Sequence, residues 1–274
     1  MAPPTPVIEP VTPPLPGGEG RHLPGPQGSA QVVLCHGFTG TAQSLGRWPE
    51  ALQQAGFSVD VPRLPGHGRT WQSANRTGWE DWYRIAERSL LRASELRPAV
   101  VGGLSMGGAL ALALAVAHPG RVAGVILVNP AVAAVNPFVP LTPLVRHVRP
   151  SMPGIAGDVA DPDSPGELAY DRVPMHALNS QRALWRGVRR RAREVTCPVL
   201  LLRSAVDHVV PARSSASILR RISSTDVREV VLENSFHVVP LDHDAPRLHE
   251  ESVAFARRVT GDRWGLSSWA ARRA

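Results

Sequence analysis

The stretch Gly103-Leu104-Ser105-Met106-Gly107 constrains this chain more than any other. It follows the apolar run Ala99-Val100-Val101 and opens the run Ala109-Leu110-Ala111-Leu112-Ala113-Leu114-Ala115-Val116-Ala117. The first run reads as a short strand, the second as a strong helix former. The pentapeptide therefore predicts a sharp strand-to-helix turn with a serine at its apex. Such a turn lifts the hydroxyl clear of the sheet. Glycines flank it because a side chain there would collide with the neighbouring strand or helix. Gly and Ser alone are common in loops; the strand before and the helix after make the motif specific.

This arrangement resembles the nucleophile elbow of the α/β-hydrolases, where the partners of the serine follow in the order acid, then histidine. A serine hydroxyl needs such a base to become a nucleophile. The order leaves out His22, His36 and His67. It leaves His118, His147, His176, His208, His237, His243 and His249. The run Cys197-Pro198-Val199-Leu200-Leu201-Leu202-Arg203 reads as a buried strand, and Asp207 follows it. The run Val227-Arg228-Glu229-Val230-Val231-Leu232 reads as the next strand, and His237 lies on the loop after it. Both partners thus fall at the carboxyl edge of a parallel sheet, where doubly wound folds deliver reactive groups. His208 sits directly beside Asp207, and neighbouring side chains diverge, so it reads as a loop residue. His243 and His249 read as solvated positions in or near the last helix. Asp226 precedes its strand and belongs to the wrong edge; Asp242 and Asp244 follow the histidine. The predicted catalytic residues are Ser105, Asp207 and His237.

The strand Gln31-Val32-Val33-Leu34-Cys35 ends in His36-Gly37-Phe38-Thr39-Gly40. In the α/β-hydrolases that this chain resembles, such a loop supplies one oxyanion donor, and the residue after the nucleophile supplies the other. That assigns the backbone N–H groups of Phe38 and Met106, with their side chains free to line an acyl pocket. His36 is expected to tie the loop down by hydrogen bonds.

At 274 residues the chain suits one large α/β domain with an insertion. Strands and helices alternate from about residue 31, which predicts a mostly parallel, doubly wound sheet covered on both faces. The core is expected over 29–130 and 181–262. From 131 to 180 prolines and short apolar patches replace the alternation, at the edge that carries the serine. We expect an inserted cap there, with Val135, Phe138, Val139, Leu141, Leu144, Val145, Val148, Met152 and Ile155 lining an apolar acyl tunnel and also packing the cap onto the core. Residues 1–28 are Pro- and Gly-rich, with neither the basic start nor the apolar segment of a signal peptide. They are expected to form a loose arm, and 263–274 a basic tail.

No run has the length of a membrane-spanning helix, so the cytoplasm is the default location. Cys35 and Cys197 fall in predicted core strands and read as small apolar residues. The histidines lack metal-ligand spacing, and no metal or cofactor is expected. Net charge is +7, and every basic residue is arginine. Arg186, Arg189, Arg190, Arg191 and Arg193 cluster on one helix, without the module or interleaved aromatics that nucleic-acid binding requires. They read as a solvated face, with weak attraction to anionic lipid surfaces as the alternative.

Five segments together resemble the bacterial monoacylglycerol lipases and the small bacterial carboxylesterases. They are His36-Gly37-Phe38-Thr39-Gly40, Leu64-Pro65-Gly66-His67-Gly68, Gly103-Leu104-Ser105-Met106-Gly107-Gly108, Asp207-His208-Val209-Val210-Pro211 and Asn234-Ser235-Phe236-His237-Val238. The likeness runs from about residue 28 to 260 and includes Glu167-Leu168-Ala169-Tyr170. It implies a serine ester hydrolase acting on monoacylglycerols or similar medium-chain esters. It also implies that Glu167 contacts the glycerol head group, with Asn129 a weaker candidate. The Pro-rich arm, the Pro-rich cap and the arginine-only basic set depart from the family. Other acyl substrates, such as thioesters or simple carboxylic esters, stay open. So does a non-catalytic ligand-binding protein, although the intact triad and oxyanion loops argue against it. Dehalogenase and epoxide hydrolase chemistry needs a carboxylate at the elbow, which Ser105 is not. Oligomeric state is not legible.

Overall fold

The computed structural model describes residues 14–154 and 156–261. In chain order its first elements are β1 (Arg21–Leu23), β2 (Gln31–Cys35), α1 (Trp48–Gln54), β3 (Ser58–Val61), α2 (Trp71–Asn75), α3 (Trp79–Ala93), β4 (Ala99–Leu104), α4 (Met106–Ala117) and β5 (Val122–Val128). Then come α5 (Thr142–Val148), β6 (Ser151–Pro153), β7 (Arg172–Pro174), α6 (Met175–Arg191), β8 (Val199–Ser204), α7 (Arg213–Leu219), β9 (Val227–Leu232) and α8 (Ala245–Thr260). The main sheet has seven strands in the order β1-β3-β2-β4-β5-β8-β9. Only β1 is antiparallel to its neighbour. This is the α/β-hydrolase fold with a mostly parallel, doubly wound sheet.

The central strands are apolar on both faces, as a sheet covered by helices on both sides requires. Val33, Val101, Leu127 and Leu201 face one core, which α3, α4 and α6 close. Val32, Val100, Ile126 and Leu202 face the other, which α1 and α8 close. Register aligns the carboxyl ends: Cys35 lies beside Gly103, Leu104 beside Val128, Val128 beside Leu202 and Ser204 beside Leu232. Every loop predicted to carry chemistry therefore leaves the sheet on one edge.

Two expectations need correction. The arm is not loose throughout, because Arg21 and Leu23 pair with Val61 and Val59 and extend the sheet. Leu23 packs on the core, and the Arg21 guanidinium pairs with Glu50. The rest of the arm before residue 14, and the basic tail, lie outside the described residues. The helical order also resumes at Met175 rather than Gln181. Asn75 explains this: its Oδ1 accepts the N–H groups of His176 and Ala177, at 3.0 and 3.4 Å, and so caps α6 from a distant segment. The excursion between β5 and α6 holds α5 and a two-stranded antiparallel ribbon of β6 and β7. It returns to the carboxyl edge, where the Tyr170 N–H donates to the Thr39 carbonyl at 3.2 Å.

Candidate active site

Ser105 sits between β4 and α4 with φ 56° and ψ −113°. A non-glycine residue in such a conformation is strained by about 1–3 kcal/mol and persists only where its surroundings impose it. Here the Ser105 N–H donates to Val128 O at 2.9 Å, and its carbonyl accepts from Ala131 N at 3.0 Å. The flanking glycines are sterically required. A Cβ on Gly107 would overlap the Cys35 carbonyl, and one on Gly103 would stand 2.7 Å from that same oxygen. The described residues contain three non-glycine positions with positive φ, namely Thr39, Ser105 and Asn129. They follow β2, β4 and β5, so the backbone strain is concentrated at one edge.

Asp207 and His237 meet at that edge. His237 Nδ1 and Asp207 Oδ2 are 2.8 Å apart, with the side chains only 9% and 8% exposed. Asp207 Oδ1 accepts the N–H groups of Val209 and Val210 at 2.8 and 2.7 Å. Both carboxylate oxygens are thus engaged, which fixes the acid's orientation. A carboxylate on Nδ1 makes that nitrogen the donor and leaves the Nε2 lone pair to act as a base. Asp226 pairs instead with Arg258, and His208 turns to Asp158.

The loop after β2 lies against the serine: a Cβ on Gly37 would stand 3.5 Å from the Ser105 Cβ. His36 is wholly buried, and burial pushes its imidazole down to about 4, so it is neutral near pH 7. Its Nε2 accepts the Leu64 N–H at 3.2 Å, which leaves Nδ1 to donate to Gly37 O at 2.9 Å. His36 therefore ties two edge loops together. The Phe38 ring packs against His67 and Trp82, with centroids 6.0 and 5.9 Å away. Met106 opens α4, where the first N–H groups of a helix have no intrahelical partner.

The residues predicted to bind substrate fare differently. Glu167 lies against the loop after β2: its Oε1 is 2.8 Å from where a Cβ on Gly40 would be, two residues after Phe38. Its Oε2 accepts the Gly157 N–H at 3.0 Å. Asn129 is not free to bind substrate. It is 1% exposed, its Nδ2 donates to the His237 carbonyl at 2.9 Å and to Ser204 Oγ at 3.0 Å, and its Oδ1 accepts from Ser204 N at 2.9 Å. Phe138 does not line an enclosed tunnel, since it is 70% exposed. Val135, Leu141, Leu144 and Val148 are exposed as well. Ile155 lies outside the described residues.

Sequence reasoning missed the carboxylates that bind the excursion to the His237 loop. Asp242 accepts from Ala160, Asp161, Phe236 and His243 N–H groups at 2.8 to 3.0 Å. Asp158 bonds to both His208 and His237. Neither has a periodic or spacing signal, since each acts between loops distant in sequence. Among the described residues, no group of three or more His, Cys, Asp or Glu could hold a metal ion. The Cys35 and Cys197 thiols are free, and burial pushes them up to about 12 and about 11.

A strained serine elbow and a buried Asp–His pair on one edge of an α/β-hydrolase sheet are the arrangement of a serine hydrolase. Residues 26–244 match the family described as serine aminopeptidase, S33, and the chain belongs to it. It is 36% identical to the thermostable monoacylglycerol lipase of Bacillus sp. strain H-257 over 235 residues, 85% of this chain and 93% of that one. A solved structure of the metagenome-derived lipolytic enzymes LipS and LipT superposes with a TM-score of 0.84 at 33% identity, covering 89% of this chain and 99% of that one. The monoacylglycerol lipase of Paleococcus ferrophilus shares the fold, with a TM-score of 0.74 at 22% identity over 88% and 98% of the two chains.

Proposed function

We propose that the chain is a serine ester hydrolase that cleaves monoacylglycerols and similar medium-chain carboxylic esters through an acyl-enzyme. The observation that carries this is the buried 2.8 Å His237–Asp207 bond on the sheet edge that bears the strained Ser105. His237 Nε2 takes the Ser105 proton as Oγ attacks the ester carbonyl carbon. The N–H groups of Phe38 and Met106 hold the tetrahedral oxyanion, a stabilisation of several kcal/mol. Nε2–H then protonates the departing alcohol, leaving the acyl group on Oγ. Water, deprotonated by the same Nε2, attacks the acyl carbon and frees the acid. Asp207 stays ionised and orients the ring. Peptide substrates would follow the same chemistry; the near full-length likeness to a monoacylglycerol lipase favours the ester.

Glu167 is the proposed acceptor for the glycerol hydroxyls, since its carboxylate lies beside the Phe38 loop. Glu167→Gln should reduce kcat/KM for monoacylglycerols by the equivalent of about 1–3 kcal/mol. It should leave a p-nitrophenyl ester of equal acyl length nearly untouched, because that ester has no glycerol. Equal losses on both would reduce Glu167 to a support for the Gly157 segment.

Contact with a lipid surface is a further part of this reading. Phe138, Leu144 and Val148 are 70, 73 and 79% exposed, beside Arg146 and Arg149. An apolar patch with basic neighbours suits an anionic lipid interface. The Arg cluster on α6 is mostly exposed, but Arg189 turns inward to the Val132 carbonyl and Arg191 pairs with Glu194. The cap is therefore the better candidate of the two.

A further inference from the structure

The loop of Asp207 and the loop of His237 are separated in sequence by α7 and β9, and a third segment joins them. Asp158 Oδ1 pairs with His208 Nδ1 at 2.8 Å. Asp158 Oδ2 accepts two backbone N–H groups, from His208 and from His237, each at 3.2 Å. The Asp158 carbonyl also accepts the Val238 N–H at 3.0 Å. The Asp158 side chain is only 14% exposed, whereas the His208 imidazole is 58% exposed, so the bond to the His237 N–H is the more sheltered part of the link. Asn129 holds the opposite side of the same residue, donating to the His237 carbonyl at 2.9 Å.

Both backbone polar groups of His237 are thus taken by side chains from other segments, its N–H by Asp158 and its C=O by Asn129. A residue clamped at both peptide groups has a fixed Cα–Cβ direction, and together with the Nδ1 bond to Asp207 that direction sets the aim of its imidazole. We propose that Asp158 is a positioning residue, which fastens the Asp207 loop to the His237 loop and so aims the imidazole at Ser105. The fastening comes from the excursion between β5 and α6, so a segment outside the main sheet sets the alignment of the base. Gly157 extends the link, since its N–H donates to Glu167. The inference rests on the Ser105–His237–Asp207 reading given above.

The test uses the rate of covalent inactivation by a fluorophosphonate, counted per active site, together with kcat, KM and melting temperature. Misaiming a base by about 1 Å costs up to about 100-fold. Asp158→Ala should therefore slow both phosphonylation and kcat by about 10- to 100-fold, with KM within about twofold. Asp158→Asn should restore rates to within about threefold, because its remaining oxygen can still accept both backbone N–H groups and the His208 imidazole can switch tautomer to meet the amide. His208→Ala should stay within about threefold for the same reason. If Asp158→Ala only lowers the melting temperature and the active-site count, while surviving sites react at the wild-type rate, the role is structural and the proposal fails. If Asp158→Asn is as slow as Asp158→Ala, the clamp fails as the explanation. A wild type that is not labelled at Ser105 would instead sink the triad reading itself.

Discussion

His67 illustrates how much of this site is built from groups that do no chemistry. It is wholly buried among His36, Phe38, Trp82 and Tyr170. Burial, and then the neighbouring His36, push it down to about 3, while burial pushes His36 to about 4. In the unfolded chain each would take up a proton near pH 6.5. Between that value and the folded ones the unfolded state binds more protons. Stability is therefore full above about pH 6.5 and falls as pH drops through the window. The loss is on the order of 1 kcal/mol per pH unit for each histidine. His67→Asn keeps a donor for the Pro65 carbonyl but does not titrate here. Urea unfolding from pH 6.5 to 5 should show its stability falling about 1 kcal/mol per pH unit less steeply than the wild type's. Identical slopes would mean that His67 is not held neutral. The proposed triad of Ser105, Asp207 and His237 could be placed from the sequence because each lies on the loop after the carboxyl end of a recognisable strand. Asn129 also follows such a strand, yet its role was not readable: it depends on the β9 loop folding back over β5, which no local pattern records.

At the scale of elements, the excursion between β5 and α6 behaves less like a tunnel wall than like an outer surface. Leu144 and Val148 are four residues apart on α5 and project together, with Phe138 on the turn before it. Replacing Phe138 and Leu144 with serine should weaken sedimentation with phosphatidylglycerol vesicles. It should also slow hydrolysis of an emulsified long-chain monoacylglycerol by on the order of 10-fold, through lost apolar burial at the interface. Hydrolysis of a soluble butyrate ester should be unaffected. Equal effects on both substrates would place these side chains in the acyl site after all. β2, β4, β5 and β8 were legible because strands buried on both faces read as apolar runs, while β3 and β9, each broken by charged residues, were placed by the alternation around them. β1 was not, since Arg-His-Leu has no apolar run and becomes a strand only by pairing with β3. The start of α6 was equally hidden, because its cap is Asn75, about a hundred residues earlier in the chain.

For the whole molecule, the sheet acts as a ruler that brings loops from β2, β4, β5, β8 and β9 to one edge. The segment carrying Asp158, Glu167 and Tyr170 then crosses that edge and is tied to it by hydrogen bonds to His237, Gln43 and Thr39. In the proposed mechanism one histidine makes one serine on this edge nucleophilic. It is tested most directly by treating the wild type, Ser105→Ala, His237→Ala and the double variant with a fluorophosphonate. Intact-mass and peptide-mass measurements then locate the adduct, alongside kcat for a common ester. One adduct per chain is expected, on Ser105, and none in Ser105→Ala. Losses in kcat on the order of 1,000-fold or more are expected for each single variant, with little further loss in the double. An adduct on another residue, or losses that multiply in the double variant, would contradict the mechanism.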